Sequence, residues 1–142
     1  MFDWEKVRIA LPDEEYLRLL GAAICVFDSN CGLIIEGILK VKPDASWRDL
    51  VDKTSGELKE DVRDNITRLA GDDIANYFSD LAWKRNRIAH GFRITSPKGE
   101  QILASKDKKT QIQIHITKDF LWEFICLNEE LSELLEQFRT SH

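Results

Sequence analysis

At 142 residues, with 43% hydrophobic and 32% charged side chains, the sequence has the proportions of one soluble globular domain, 1–142, built on a single core. Only 7 Gly and 3 Pro exclude a long flexible linker or a low-complexity tail, and no uninterrupted apolar run is long enough to span a bilayer. The formal charge is −5, and Asp3 and Glu5 do not suit a signal-peptide start, so the expectation is a cytoplasmic protein with no membrane partner.

In chain order, Leu17, Leu20, Ile24, Phe27, Cys31, Ile34, Ile38 and Val41 step by three and four. That is the seam of one long amphipathic helix over about 13–42. Pro12 with Asp13, Glu14 and Glu15 suits its start, and Pro43 its end. Gly21, Gly32 and Gly37 each disfavour a helix interior by about 1 kcal/mol relative to alanine, although a glycine can also admit a neighbouring helix. Ser46 caps a short helix over 47–52. A polar helix follows over 56–70, stopped by Gly71. Asp72 and Asp73 open the next helix, which ends at Gly91. Strands are expected at 92–95, 102–105 and 111–116. Pro97-Lys98-Gly99 turns between the first two, and a charged turn over 106–110 joins the last two. Thr117 caps a final helix through Phe138, with a seam of Phe120, Phe124, Leu127, Leu131, Leu134 or Leu135, and Phe138. The sum is a mainly α protein: an antiparallel helical bundle with a small antiparallel β-meander before the last helix.

The net charge conceals an asymmetry. Residues 84–118 carry nine basic side chains (Lys84, Arg85, Arg87, Arg93, Lys98, Lys106, Lys108, Lys109 and Lys118) against Glu100 and Asp107, so this segment holds +7 and the remainder −12. Two readings stand open: a solvated, lysine-bearing hairpin, or an anion-attracting face suited to phosphate backbones. Cys25, Cys31 and Cys126 sit among apolar residues and are expected to pack as small hydrophobes in the core or an interface. His90, His115 and His142 add no metal-ligand spacing to them, so neither a metal nor a cofactor is expected.

The stretch WKRNRIAHGF, residues 83–92, carries the chemistry. The core stripe of its helix reads Ile74, Phe78, Leu81, Arg85, Ile88 and Phe92, which puts Arg85 where a hydrophobe belongs. Such an arginine must reach solvent or meet an anion, because an unpaired buried charge is costly. Asn86 and His90 are four apart and share another face, with Trp83 near them as a packing or interface residue. A plainer reading also holds: Lys84, Arg85, Arg87 and His90 are cations of a last turn, complementing the helix dipole.

Arg85-Asn86-x-x-x-His90 resembles the Rx4–6H signature of the HEPN superfamily, in which a polar residue, often asparagine, follows the arginine. The resemblance implies a bundle of four or five helices with the motif at the end of the third main helix, and insertions after the motif occur. It implies a metal-independent ribonuclease, usually a homodimer whose two motifs face each other, of the kind found among toxins, phage defence and RNA processing. Some members are instead non-catalytic dimerisation or RNA- and nucleotide-binding modules. Carried over, Arg85, Asn86 and His90 are the catalytic candidates, RNA is the substrate, and an antitoxin protein is a possible partner. In HEPN toxins controlled by a nucleotidyltransferase, a tyrosine that can be adenylylated lies two positions after the histidine. Phe92 stands there and has no hydroxyl.

Independently of the family, RNA can be cut without a metal by its own 2′-hydroxyl. An imidazole with a pKa of about 6.5 can take that proton or protonate the leaving oxygen. A guanidinium can brace the phosphate as negative charge develops. Lys84, Arg87 and Arg93 are then candidates for gripping RNA, while His115, alternating with apolar residues on a strand, is expected to be structural.

Overall fold

The computed structural model describes all 142 residues. Helix α1 (Glu14–Val41) is capped by Asp13, whose carboxylate accepts the Tyr16 N–H at 2.8 Å. It buries Tyr16, Ala23, Phe27, Asn30, Ile34 and Ile38. Over the first half this stripe lies beside the expected seam, since Leu17 and Ile24 are exposed and Leu20 is half-buried. Tyr16 supplies the reason. Its hydroxyl donates to the Ile116 carbonyl at 2.6 Å and accepts the Leu103 N–H at 2.9 Å, which rolls the helix so that this side chain points inward. Of the three helix glycines only Gly37 meets a neighbour, where an added Cβ would stand 3.4 Å from the Phe138 ring. One 18-residue window of α1 reaches a mean hydropathy of 1.6, enough by length and composition alone to cross a membrane; in this fold its apolar stripe packs against α5 and α6.

Ser46 caps α2 (Trp47–Val51), and a Thr54–Glu57 capping box opens α3 (Ser55–Asp61). The chain continues through a π-helical turn (Val62–Ile66) into α4 (Thr67–Ala70), so the expected polar helix is one rod with a wide turn inside it. Leu58, Val62 and Ile66 are all buried and four apart. In a regular helix two such steps rotate the face by about 80°, and the wide turn takes that rotation back.

Side-chain pairs fix the directions of the helices. α1 and α6 (Lys118–Ser141) run parallel: Asp13 meets Lys118 near their starts, Asn30 meets Asn128 midway, and Glu36 meets Arg139 near their ends. α5 (Asp73–Ala89) runs against both, with Tyr77 near its start bonded to Glu130 and Arg85 near its end over Phe27. The α3–α4 rod climbs with α1, from Leu58 beside Cys31 to Leu69 beside Val41. The expected antiparallel bundle is thus antiparallel only through α5, because the return limb after α1 is the five-residue α2 and not a full helix.

Strands β1 (Phe92–Thr95), β2 (Gln101–Lys106) and β3 (Gln113–Ile116) form an antiparallel sheet in the order β1-β2-β3, with Phe92 opposite Ala104 and Leu103 opposite Ile116. β3 begins later than expected. Gln111 adopts a left-handed φ of 62° and donates its N–H to the Asp107 carbonyl at 2.8 Å, so it belongs to the turn. Thr117 caps α6, which buries Leu121, Phe124, Asn128, Leu131, Leu135 and Phe138. Leu135 is therefore the core residue of the Leu134/Leu135 pair. The cysteine expectation holds only in part: Cys31 is half-buried, whereas Cys25 and Cys126 are exposed.

Replacing Tyr16 with Phe strips a part-buried N–H and a buried carbonyl of their partner at once. The expected loss is about 1–3 kcal/mol of unfolding free energy, measurable by denaturant titration, with faster hydrogen exchange at the Leu103 amide. An unchanged midpoint would show that the ladder closes without the hydroxyl.

Candidate functional site

The last turn of α5 is held tightly. The His90 N–H bonds to the Asn86 carbonyl at 3.0 Å and the Gly91 N–H to the Ile88 carbonyl at 3.1 Å. An added Cβ at Gly91 would stand 3.1 Å from the Ile88 oxygen and 3.2 Å from Leu103 Cβ. Glycine therefore lets the helix end pass close over β2 and lead directly into β1. His90 is fixed at this corner by its backbone, with its side chain exposed.

Arg85, Asn86 and His90 line one cleft of 610 Å³, completed by Asp28 and Cys31 of α1 and by the α2–α3 turn around Lys53 to Gly56. Arg85 resolves the dilemma posed by its place in the core stripe. It is half-buried, with no ion pair, and its guanidinium carbon lies 5.9 Å from the Phe27 ring centroid. The aromatic face substitutes for an anion. No hydrogen bond within the chain engages the side chains of Arg85, Asn86 or His90, so all three are free to meet a ligand. Burial first, then the Asp28 charge, against the opposing Arg85 charge, push the Cys31 thiol up to about 11. The thiol stays protonated near neutrality and is no thiolate nucleophile.

The remaining candidates do not join them. Arg87 is buried: it points to β2, with the Ser105 hydroxyl 3.5 Å from its guanidinium and the Trp83 ring 5.8 Å away. This candidate for gripping RNA thus lies packed between α5 and the sheet. Lys84 pairs with Asp80 at 3.0 Å, one turn back on its own helix, and Arg93 donates to the Gln101 side chain on the neighbouring strand. Neither lines the cleft. His115 is exposed on β3, in a separate depression between the β1–β2 turn and the start of α6. Asp28, Cys31 and the α2–α3 turn were missed in the sequence. The only trace was the polar break Asp28-Ser29-Asn30 in an apolar helix, and nothing marked residues 53–56. No group of three His, Cys, Asp or Glu side chains converges where it could hold a metal ion.

Behind the motif, Asp107 clasps the charged turn onto α5. Its carboxylate accepts the Trp83 indole N–H at 2.9 Å, the Lys109 N–H at 3.0 Å and the Thr110 hydroxyl at 3.0 Å. Trp83 is thereby a packing residue, bonded through its nitrogen. These bonds, the indole first, and the nearby Arg87 charge hold the Asp107 carboxyl below its ordinary value of 3.8 against the opposing effect of burial.

No family model, no curated protein and no solved structure matches this chain.

Because the folded-state pKa of Asp107 is lowered, its stabilising effect is complete above pH 3.8 and is lost as pH falls through the folded value. Thermal unfolding followed between pH 6 and 2 should show the wild-type midpoint falling more steeply below about pH 4 than that of Asp107→Asn, which has no such proton to take up. Parallel curves would remove Asp107 from the acid response.

Proposed function

We propose that this chain is a metal-independent endoribonuclease of the HEPN toxin or defence type, with a HEPN-like bundle as its fold. The observation that carries the reading is the shared cleft: Arg85, Asn86 and His90 line it together, and none of the three side chains makes a hydrogen bond or ion pair within the chain. Two features of the chain agree. The motif ends α5, the third long helical unit after α1 and the α3–α4 rod, and a sheet is inserted between it and the last helix.

In the proposed reaction the 2′-hydroxyl of RNA attacks the adjacent phosphorus and the 5′-oxygen leaves, giving a 2′,3′-cyclic phosphate and a 5′-hydroxyl. His90 takes the attacking proton or supplies the leaving one. Arg85, stacked on Phe27 and free of any carboxylate, offers its donors to the phosphate oxygens as their charge grows. Asn86, one turn before His90, positions the imidazole or the phosphate. DNA lacks the nucleophile and is spared. RNA is the substrate, a homodimer is the working form, and an antitoxin is the expected regulator. Phe92, exposed where related toxins carry a modifiable tyrosine, bars control by adenylylation there.

A non-catalytic RNA-binding or dimerisation module is the second reading. One observation favours it: no residue of the chain holds the His90 imidazole in a defined tautomer.

Incubation of wild-type and His90→Ala protein with RNA in EDTA separates the two. Cleavage with cyclic phosphate ends is expected, falling by roughly 10²–10⁴-fold in the variant. Equal cleavage by both proteins would exclude His90 from the chemistry. Absence of cleavage, with RNA retention that weakens in Arg85→Ala, would select the binding module.

A further inference from the structure

Six of the first eleven residues are large and apolar, and all six are exposed: Met1, Phe2, Trp4, Val7, Ile9 and Leu11, with Phe2 at 86% and Trp4 at 66%. No residue of this arm is buried, and its one structured piece is a 3₁₀ turn at Trp4–Lys6 capped by Asp3. The arm nevertheless leaves the body from a fixed point. Asp13 caps α1 and pairs with Lys118 at 2.8 Å, and Pro12 is half-buried. Isolated exposed hydrophobes are ordinary, but a contiguous set of this size marks an interaction surface.

The body of the molecule offers a matching groove between α1, α5 and β2. Seven of its nine lining residues are apolar, among them Leu20, Ile24, Ala89, Leu103 and Phe124, and its volume is 290 Å³. Benzene fills an engineered apolar cavity of about 150 Å³, so the larger indole of a tryptophan has room here. Ile24 at the groove is 46% exposed, and Leu17 continues the same face of α1 uncovered. No residue of the arm lines this groove in its own chain. The one charged lining residue is Arg85, which forms no ion pair, and Trp4 is flanked by Asp3 and Glu5.

We propose that the arm of one copy seats Trp4 in the α1–α5–β2 groove of a second copy, reciprocally, so that two arms clasp a symmetric dimer. Size, apolarity and charge sign all match between the arm and the groove, and Arg85, which lines both groove and cleft, has five N–H donors to share between an arm carboxylate and a phosphate. The area matches too. Aromatic side chains bury about 150–250 Å² each, so Phe2 and Trp4 supply roughly 300–500 Å² per arm, to which four aliphatic side chains and the groove lining add. A stable interface takes about 800 Å² per partner, and reciprocal exchange supplies that from each side. The inference rests on the homodimer of the ribonuclease reading and names the contact that holds it; a dimer indifferent to the arm sinks the contact and leaves that reading standing.

Light scattering on the full chain across a concentration series, beside Trp4→Asp and Ile24→Asp, tests it. Both sites are exposed, so neither substitution disturbs the core, and circular dichroism confirms the fold. The wild type is expected at twice 16.4 kDa, and each variant is expected to weaken the dimer at least tenfold. A wild type that stays monomeric at 100 µM overturns the proposal, as does a dimer indifferent to Trp4→Asp. A dimer broken by Trp4→Asp but not by Ile24→Asp places the arm elsewhere and overturns the groove.

Discussion

Two long helices lying parallel, α1 and α6, are the constraint around which the other elements are arranged. Their pairing is locked at its middle by a buried polar knot. The Asn30 amide donates to the Asn128 carbonyl at 2.8 Å and to its side-chain oxygen at 3.0 Å, while Asn30 accepts from the Ser132 hydroxyl at 2.7 Å. Asn128 in turn donates to the Phe124 carbonyl at 2.9 Å. Every polar atom named is satisfied, so the knot avoids the cost of burying a bare amide and fixes the register of the pair. An apolar stripe alone would tolerate a slide by one turn; two asparagines that must meet would not.

From that pairing the rest is placed. α5 lies against both helices in the opposite sense, with Phe78 stacked on Phe27 at 5.7 Å. Phe27 also meets Phe124, with ring centroids 6.1 Å apart, and carries Arg85 above its ring. The same ring therefore belongs to the core and to the floor of the candidate site. The sheet is tied in by the Tyr16 hydroxyl, which occupies the space between Leu103 and Ile116 where paired strands would otherwise bond directly. Position at the motif thus depends on packing far from it along the chain.

Much of the element order was legible in the sequence because several helices announce their starts by local chemistry: Ser46 and Thr117 cap as their residue types require, and Asp13 and Thr54 do the same, whereas α5 starts without a side-chain cap. Which face of a helix turns inward was less legible. Leu17 and Ile24 match the periodicity as well as Tyr16 and Ala23 do, and a hydroxyl bond to a strand a hundred positions away decides between them. Helix direction was hidden for a related reason, since periodicity carries no sign and a five-residue α2 looks much like a short loop. Within the candidate site, Asn86 and His90 could be grouped from their spacing of four, while Arg85 read as part of the core stripe and joined them only through the motif. Arg87 could not be separated from them, because its burial comes from Ser105 and Trp83 on either side of it. The α1 and α2–α3 walls of the cleft come from contacts with no local signature.

The helix pairing also has a temporal side. Its three named contacts join residues 98 to 105 positions apart, so nearly all of the chain must leave the ribosome before α1 finds its partner. Until then the Phe27 face is uncovered on one side, and the floor beneath Arg85 lacks its support from Phe124. Contacts of such long range form late and together. A nascent chain that lacks α6 would hold the WKRNRIAHGF stretch without the architecture that gives it a shape, which confines the assembled cleft to molecules in which α6 has been made.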